Sequence, residues 1–293
     1  MVQYLRALAA AALLATVSCA TKPAPASPTP APTPTPPPSA AGAPAPYQED
    51  VIYGRVEGSA LLADVAWPGG EGPYPAIVSI HGGRWVGGHK RDASSIKVKE
   101  WAGLGFFAMS IDYRLARATP APACYQDLLC AIRWVRAHAA TYRIDPKRIF
   151  LIGQSAGGHM ASLVATLGEG PYKRAGGWNE QTTDVRAVIS VCAPYELNTL
   201  SWGKLWVPMG ENEEAARQQA SPIRFVAAST KPILIIHSDD DKSVPIQQAV
   251  DMAEALKKAG APHKFLHYKD RGHMGIADYV VKESVAFIKE VAP

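Results

Sequence analysis

The sequence predicts an α/β fold in which a mostly parallel central sheet carries helices on both faces and begins with an antiparallel hairpin. From Tyr47 onward, strand-like segments alternate with helix-like segments. Most of the later strand-like segments are continuous apolar runs, as is typical of parallel strands that are covered on both sides. The first two, "DVIYGRV" and "SALLADVAW", meet at Glu57 and Gly58, a short turn that suits a hairpin.

The chain begins with a segment that is typical of exported proteins. Residues 1–18 contain Arg6 and then an Ala/Leu run that is short for a membrane-spanning helix. The sequence "TVSC", which ends at Cys19, resembles a bacterial lipobox, in which the cysteine is acylated and becomes the mature N-terminus. Thr16 stands where leucine is usual. Cleavage after Ala20 without acylation is the alternative.

Residues 19–47 are rich in Pro, Ala and Thr and cannot form a packed core. We expect an extended spacer between a lipid anchor at Cys19 and a folded domain at residues 48–293. The protein is then tethered to a membrane and faces the periplasm or the cell exterior, or is secreted or periplasmic if the signal is only cleaved. A disordered leader is the alternative for the spacer.

The composition favours a globular protein and argues against a nucleic-acid partner. Of 293 residues, 47% are hydrophobic, which is enough for a sizeable core. The net charge is +4, and the basic residues are scattered rather than clustered. The sequence does not indicate an oligomeric state.

Three cysteines lie outside the export segment: Cys124, Cys130 and Cys192. Cys124 and Cys130 lie on or beside one predicted helix, where six positions separate them by about 9 Å of rise, which is too far for a disulfide. We therefore expect free, buried thiols. Cys192 ends a predicted strand and is interpreted as a small buried hydrophobic residue.

Six later strand segments complete the predicted sheet: "PAIVSI", "GFFAMSI", "RIFLIG", "RAVISV", "PILIIH" and "HKFLHY". The clearest helix covers residues 125–142, where a buried stripe falls at helical spacing. That stripe consists of Leu128, Ala131, Ile132 and Val135. Further helices are predicted after Ser155, after Pro245 and after His273.

Ser155 lies between Gly153 and Gly157 in a G-x-S-x-G pattern, directly after a buried strand and before a helix-like segment. A serine in this position is either a turn residue or a nucleophile. A sharp strand-to-helix turn needs small neighbours, strains the serine backbone and projects the hydroxyl from the carboxyl edge of the sheet. The pattern also occurs by chance, so its interpretation depends on other segments.

Two glycines follow another predicted strand. In "SIHGGRW" the strand ends at His81, and the glycines that follow expose backbone amides that are able to bind a developing oxyanion. The candidate donors are the amides of Gly83, Arg84 and Ala156. A tight turn without that role is the alternative for the glycines.

An acid and a base end the last two predicted strands. Asp239, Asp240 and Asp241 follow "PILIIHS", and one acid at such an edge is able to orient an imidazole. His273 follows the last strand, so serine, acid and base occur in that order along the chain. His159 is the rival base, but no acid partner follows it.

Together these segments resemble the α/β-hydrolase superfamily, and within it the bacterial carboxylesterases related to BD-FAE and to hormone-sensitive-lipase-like enzymes. The match covers about residues 50–287 and rests on "HGGRW", "SIDYRLA", residues 127–163, "HSDDDKSVP" and "RGHMG". The resemblance implies a serine carboxylic-ester hydrolase in which Ser155 forms an acyl-enzyme, His273 is the base, and no metal or organic cofactor takes part. In the family the acid stands four residues before the proline of D-x-x-V-P, which implies Asp241.

Arg84 departs from the family's more usual HGGG motif, which leaves an amide in place but crowds the acyl pocket.

Trp85, Trp202 and Trp206 are candidates for lining a substrate pocket. Trp202, Leu205, Trp206 and Met209 lie in a segment without a strand pattern, so packing of a loop onto the core is equally compatible with them.

The segments over the carboxyl edge are short, so we expect short acyl groups on a small-molecule or glycan ester. The alternatives are an exported acetylxylan or feruloyl-type polysaccharide esterase, a serine peptidase of the prolyl-oligopeptidase type, and a non-catalytic binding protein.

Overall fold

Eight strands form one sheet in the residues that the computed structural model describes, which are 45–203, 206–208 and 210–293. The strands are β1 (Tyr47–Val56), β2 (Ser59–Ala66), β3 (Tyr74–Ile80), β4 (Phe107–Ile111), β5 (Ile144–Gln154), β6 (Ala187–Val191), β7 (Ile233–Ser238) and β8 (His263–Tyr268). The export signal, Cys19 and nearly all of the spacer lie outside the described residues, so the interpretations made for them remain predictions.

The strand order is β1-β2-β4-β3-β5-β6-β7-β8. Strand β2 runs antiparallel to β1 and to β4, and every other neighbouring pair is parallel. The predicted hairpin and the predicted parallel sheet are therefore confirmed. Because β3 to β8 run in one direction, the residues that follow them meet at one edge of the sheet.

Seven α-helices belong to the described residues: α1 (Val98–Gly103), α2 (Ala123–Ala137), α3 (Ala139–Tyr142), α4 (Ala156–Leu167), α5 (Glu213–Gln219), α6 (Gln247–Ala259) and α7 (Asp278–Val291). Side chains of α2, α4 and α6 pack on one face of the sheet, and those of α1 and α7 pack on the other. Within this part of the chain, no helix is both long and apolar enough to cross a membrane.

Strand β5 shows why the parallel strands are apolar without alternation. Ile149 and Leu151 belong to the core beneath α2 and α4, whereas Phe150 and Ile152 belong to the core beneath α1 and α7. All four side chains are buried. Since successive side chains point to opposite faces, a strand covered on both faces needs an apolar residue at every position.

The helices differ from the prediction in two respects. The predicted helix at 125–142 is divided into α2 and α3, and α3 is ended by Arg143 in the left-handed conformation, with φ 56°. Helices α1 and α5 have six and seven residues, too few for helical periodicity to show in the sequence.

Cys124, Cys130 and Cys192 are free, buried thiols.

A buried ion pair joins the segment after β4 to α2. The Asp127 carboxylate is fully buried and accepts hydrogen bonds from the Arg114 backbone N–H at 2.7 Å and from its Nη2 at 2.8 Å. Burial raises the pKa of Asp127, and the Arg114 guanidinium acts in the opposite direction. The pair fixes the chain as it leaves the carboxyl end of β4.

Replacing Asp127 with alanine is expected to lower the free energy of unfolding by about 3–5 kcal/mol, because an unpaired charge is left in a mostly buried place. The Arg114 side chain is only 17% exposed. Urea denaturation followed by fluorescence measures the change. Glu100→Ala, which removes an exposed pair with Lys97, is the control and should have a far smaller effect. Equal losses in the two variants would contradict the prediction.

Candidate active site

Ser155 occupies the turn between β5 and α4 in a strained backbone conformation. Its φ of 52° and ψ of −116° lie outside the regions that side-chain-bearing residues normally adopt. The Ser155 N–H donates to the Val191 carbonyl at 2.7 Å, and the Ser155 carbonyl accepts from the His159 N–H at 2.9 Å. Hydrogen bonds to β6 and to α4 thus hold the strained residue in place.

Close backbone packing explains the two glycines around Ser155. A Cβ at Gly153 would overlap the backbone of Gly157, and a Cβ at Gly157 would overlap the carbonyl of Ile80. Both obstacles are backbone atoms, which cannot move aside as a flexible side chain can. The first turn of α4 therefore lies directly against the ends of β5 and β3.

The turn after β3 presents backbone amides beside Ser155. Gly83, Arg84 and Trp85 have successive positive φ angles of 103°, 54° and 63°. The Gly82 N–H donates to Ser94 Oγ at 2.8 Å. The amides of Gly83 and Arg84, in contrast, have no acceptor among the described residues.

Ala156 is the first residue of α4, and within the described part of the chain its amide likewise has no acceptor. The amide therefore lies at the helix N-terminus, where the backbone dipoles favour negative charge. The three amides proposed from the sequence thus have no partner among the residues that the structure describes.

His81 shapes this turn. Its Nδ1 donates to the Gly82 carbonyl at 2.7 Å, and its ring stacks on Tyr113 with the centroids 4.0 Å apart. The Tyr113 hydroxyl donates to the carbonyls of His81 and Gly82. Burial lowers the pKa of His81. The ring is therefore a neutral structural element of the turn.

Asp241 and His273 form a direct hydrogen bond. His273 Nδ1 donates to Asp241 Oδ2 at 2.7 Å, and Asp241 Oδ1 accepts the backbone N–H groups of Ser243 and Val244 at 2.8 and 2.9 Å. His237 Nε2 lies 3.3 Å from Oδ2. Burial raises the pKa of Asp241, but these hydrogen bonds outweigh it and leave the pKa well below its usual range. The carboxylate stays ionised and accepts from the imidazole.

The same hydrogen bond fixes the protonation pattern of the His273 ring. Since a carboxylate only accepts, Nδ1 carries the proton, and Nε2 of the neutral ring is left as the acceptor nitrogen. The His273 side chain is 28% exposed, whereas the Asp241 side chain is fully buried. The ring thus extends from a buried anion toward the surface.

The two neighbouring aspartates have other partners. Asp239 pairs with His267 on β8. Asp240 Oδ1 accepts the Ser238 hydroxyl and the Gly272 N–H, each at 2.7 Å. Asp240 therefore supports the loop that carries His273 but does not contact the imidazole.

Gln154 connects the turn at Ser155 to the His273 loop. Its Nε2 donates to the Met274 carbonyl at 3.0 Å. Its side chain also lies against Gly82, where a Cβ would overlap Gln154 Oε1. One side chain thus contacts all three segments of the site. Sequence reasoning missed Gln154, because the G-x-S-x-G pattern leaves this position unspecified.

The tryptophans predicted to line a pocket lie together, but two of them are inside the protein. Trp85 and Trp206 are buried, and their ring centroids lie 5.5 Å apart. Both rings contact His159, at 5.1 and 4.9 Å. Their burial favours the alternative interpretation, in which they pack a loop onto the core. Trp202 is partly exposed. Leu205 and Met209 lie outside the described residues.

His159, the rival base, is a structural residue. Its ring is fully buried, and Nε2 donates to the Ala220 carbonyl at 2.6 Å. Burial lowers its pKa to about 4, so the ring is neutral at pH 7. No carboxylate of the described residues contacts it.

One buried group combines side chains of the kinds that bind metals: Cys192, His237 and Asp241, with ligand atoms within 4.8 Å of one another. Burial raises the pKa of the Cys192 thiol, whereas a metal binds the thiolate. His237 Nε2 donates to the Val244 carbonyl at 2.9 Å and is not available as a ligand. The group is accounted for by packing around the acid.

A cavity of about 400 Å³ lies at the opposite edge of the sheet, before β6 and β7 begin. Its walls contain the ion pairs of Glu169 with Arg174, at 2.9 Å, and of Asp184 with Lys231, at 2.6 Å. The charges of this cavity are paired, and it lies away from Ser155 and His273.

The chain is similar to a family of known proteins and to solved structures of esterases. The BD-FAE family model matches residues 64–256, about two thirds of the chain. A truncated carbohydrate esterase from gut microbiota has a TM-score of 0.74 and 26% identity, covering 86% of this chain and 98% of that one. A butyrate-bound esterase from the Planctomycetes species Thermogutta terrifontis has a TM-score of 0.70 and 27% identity, covering 84% and 95%.

Among curated proteins, the probable carboxylic ester hydrolase LipM of Mycobacterium tuberculosis is 30% identical over 198 residues. The match covers 64% of this chain and 46% of LipM. The chain spans about half the length of the curated relatives it matches.

The free energy of unfolding is expected to fall as the pH is lowered from 7 to 4, in part because of His159. The unfolded chain binds a proton at this residue near the ordinary pKa of 6.5, whereas the folded protein does so only near 4. Between these values the unfolded state binds more protons, which destabilises the fold by on the order of 3 kcal/mol.

Urea denaturation at a series of pH values measures this effect. The His159→Gln variant should show a shallower pH dependence than the wild type. His89→Gln, which alters an exposed histidine, is the control. Identical slopes for the wild type and His159→Gln would contradict the prediction.

Proposed function

The chain belongs to the BD-FAE family and has the α/β-hydrolase fold, and from this we propose that it is a serine carboxylic-ester hydrolase acting on short-chain acyl esters. The observation that carries the proposal is the hydrogen bond from His273 to the buried Asp241 carboxylate. It prepares the imidazole as a base on a loop that Gln154 ties to the strained turn at Ser155.

The first half of the reaction forms an acyl-enzyme. His273 Nε2 removes the proton from Ser155 Oγ as that oxygen bonds to the ester carbonyl carbon. Asp241 holds the ring in the required tautomer and stabilises the imidazolium that forms. When the tetrahedral intermediate collapses, the bond to the alcohol oxygen breaks, and His273 returns the proton to the departing alcohol.

The oxyanion is bound by the unpaired amides of Gly83, Arg84 and Ala156, which donate hydrogen bonds more strongly as negative charge develops. In the second half of the reaction, His273 removes a proton from water, which attacks the acyl carbon. Collapse of the second intermediate releases the acid and restores Ser155.

The preference for short acyl groups is supported by the aromatic cluster of Trp85, Trp206 and His159. These rings fill the space beside the first turn of α4, where a long acyl chain would need an open cavity. A structural neighbour, the Thermogutta terrifontis esterase, holds butyrate.

A second candidate function, an esterase that acts on acylated polysaccharides, is favoured by other structural neighbours. They include the gut carbohydrate esterase and an acetyl ester-xyloside bifunctional hydrolase from Caldicellulosiruptor lactoaceticus. Both candidates use the same chemistry and differ in the alcohol that is released.

The value of kcat/KM for 4-nitrophenyl esters is expected to be highest from acetate to butyrate and to fall toward dodecanoate, because the buried rings leave little room for a long chain. Ser155→Ala should lower the rate by on the order of 10⁴-fold or more. Release of 4-nitrophenol, measured by absorbance, gives both results.

Ser201→Ala, which alters an exposed serine, is the matched control and should retain activity. Hydrolysis by Ser155→Ala at the wild-type rate would overturn the assignment of Ser155 as the nucleophile. Absence of hydrolysis in the wild type would favour a non-catalytic binding protein, and a rate that rises toward dodecanoate would overturn the short-chain preference.

Asp241→Asn is expected to lower kcat by on the order of 10⁴-fold, because an amide no longer enforces the Nδ1–H tautomer of His273. Asp239→Asn removes the same charge two residues away, where the partner is His267, and should cost less than about tenfold. Steady-state kinetics on 4-nitrophenyl acetate compares the two variants. A loss in Asp239→Asn as large as that in Asp241→Asn would contradict the assignment of the acid.

A further inference from the structure

The Arg84 side chain lies exposed beside the nucleophile turn and is stacked on an aromatic ring. Its guanidinium carbon is 5.0 Å from the ring centroid of Trp202. The Trp202 ring is 5.8 Å from that of Trp85, which in turn packs on His159 in the first turn of α4. The stacked pair of Arg84 and Trp202 therefore lies on the same side of the sheet edge as Ser155.

Among the residues that the structure describes, Arg84 has no acidic partner. No carboxylate of the described residues lies within ion-pair distance of its guanidinium. The remaining residues, 1–44, 204, 205 and 209, contain neither Asp nor Glu. Arg114 and Arg91, in contrast, are paired with Asp127 and Asp64.

Stacking prepares the guanidinium to bind an anion. A planar guanidinium forms two parallel hydrogen bonds to a carboxylate, and stacking on tryptophan leaves its edge available for them. Because the ring already restricts the side chain, less conformational entropy is lost when the anion binds. The partly exposed site also keeps the cation hydrated in the absence of a ligand.

The position of Arg84 relates this cation to the reaction. In the proposed function, the backbone amide of Arg84 binds the carbonyl oxygen of the ester. The Arg84 side chain is therefore attached to the chain directly beside the reacting group. The acyl group of the ester is expected to be short. A charged group that pairs with Arg84 would therefore belong to the alcohol part of the substrate.

We propose that Arg84 selects esters whose alcohol part carries a carboxylate near the ester bond. This inference rests on the proposed function and names the substrate class. The guanidinium pairs with the carboxylate while the ester carbonyl occupies the amides, and Trp202 contacts the adjoining part of the alcohol.

The test compares kcat/KM for 4-acetoxybenzoate with that for its neutral methyl ester. Arg84→Gln should lower the ratio of anionic to neutral ester by about tenfold or more, because the paired charge is lost. Gln also has a Cβ, so the positive φ at this position is equally strained in the variant. Any change in the shared chemistry acts on both esters and cancels in the ratio.

Two further variants separate charge from shape. Arg84→Lys keeps the charge and should retain part of the ratio. Arg55→Gln, on the distant edge strand β1, removes the same charge from an exposed position and should leave the ratio unchanged.

An unchanged ratio in Arg84→Gln would overturn the carboxylate proposal alone, provided that the wild type hydrolyses the neutral ester in a Ser155-dependent reaction. A loss in Arg55→Gln as large as that in Arg84→Gln would also overturn it. Absence of Ser155-dependent hydrolysis of either ester in the wild type would overturn the proposed function itself.

Discussion

The contact between the first turn of α4 and the carboxyl ends of β3 and β5 is the constraint on which the rest of the site depends. The contact is possible only because Gly153 and Gly157 lack a Cβ. It forces Ser155 into an unfavourable backbone conformation and places the start of α4 beside the turn at Gly82 and Gly83. The cost of the strain is offset by the buried strands on both sides, which fix the turn's ends.

The buried carboxylate of Asp241 orients the polar groups around it. Asp241 is held by backbone amides and by imidazole groups from β7 and from the loop after β8. The two amides, of Ser243 and Val244, belong to the same loop as Asp241, whereas His237 lies on β7 and His273 follows β8. The carboxylate therefore connects this loop to the loop after β8 while it orients His273. The same group thus contributes to local folding and to the orientation of the His273 imidazole.

Most of the fold was predictable from the sequence. A strand covered on both faces appears in the sequence as a continuous apolar run, and the turn around Ser155 appears as two glycines in the G-x-S-x-G pattern. Helices α1 and α5 were not, since a helix shorter than two turns carries no clear period. Asp241 could be selected among three adjacent aspartates only through the family resemblance. The pairing of Asp239 with His267 and of Asp240 with Gly272 depends on contacts between distant segments, as does the bridging role of Gln154.

The position of β1 at the edge of the sheet has a mechanical consequence. The chain enters the fold at Tyr47, and three strands, β2, β4 and β3, separate β1 from β5, which carries Ser155. A pulling force transmitted through the preceding residues acts first on the hydrogen bonds between β1 and β2. The edge hairpin therefore absorbs such a load before it reaches the strands that hold the strained turn.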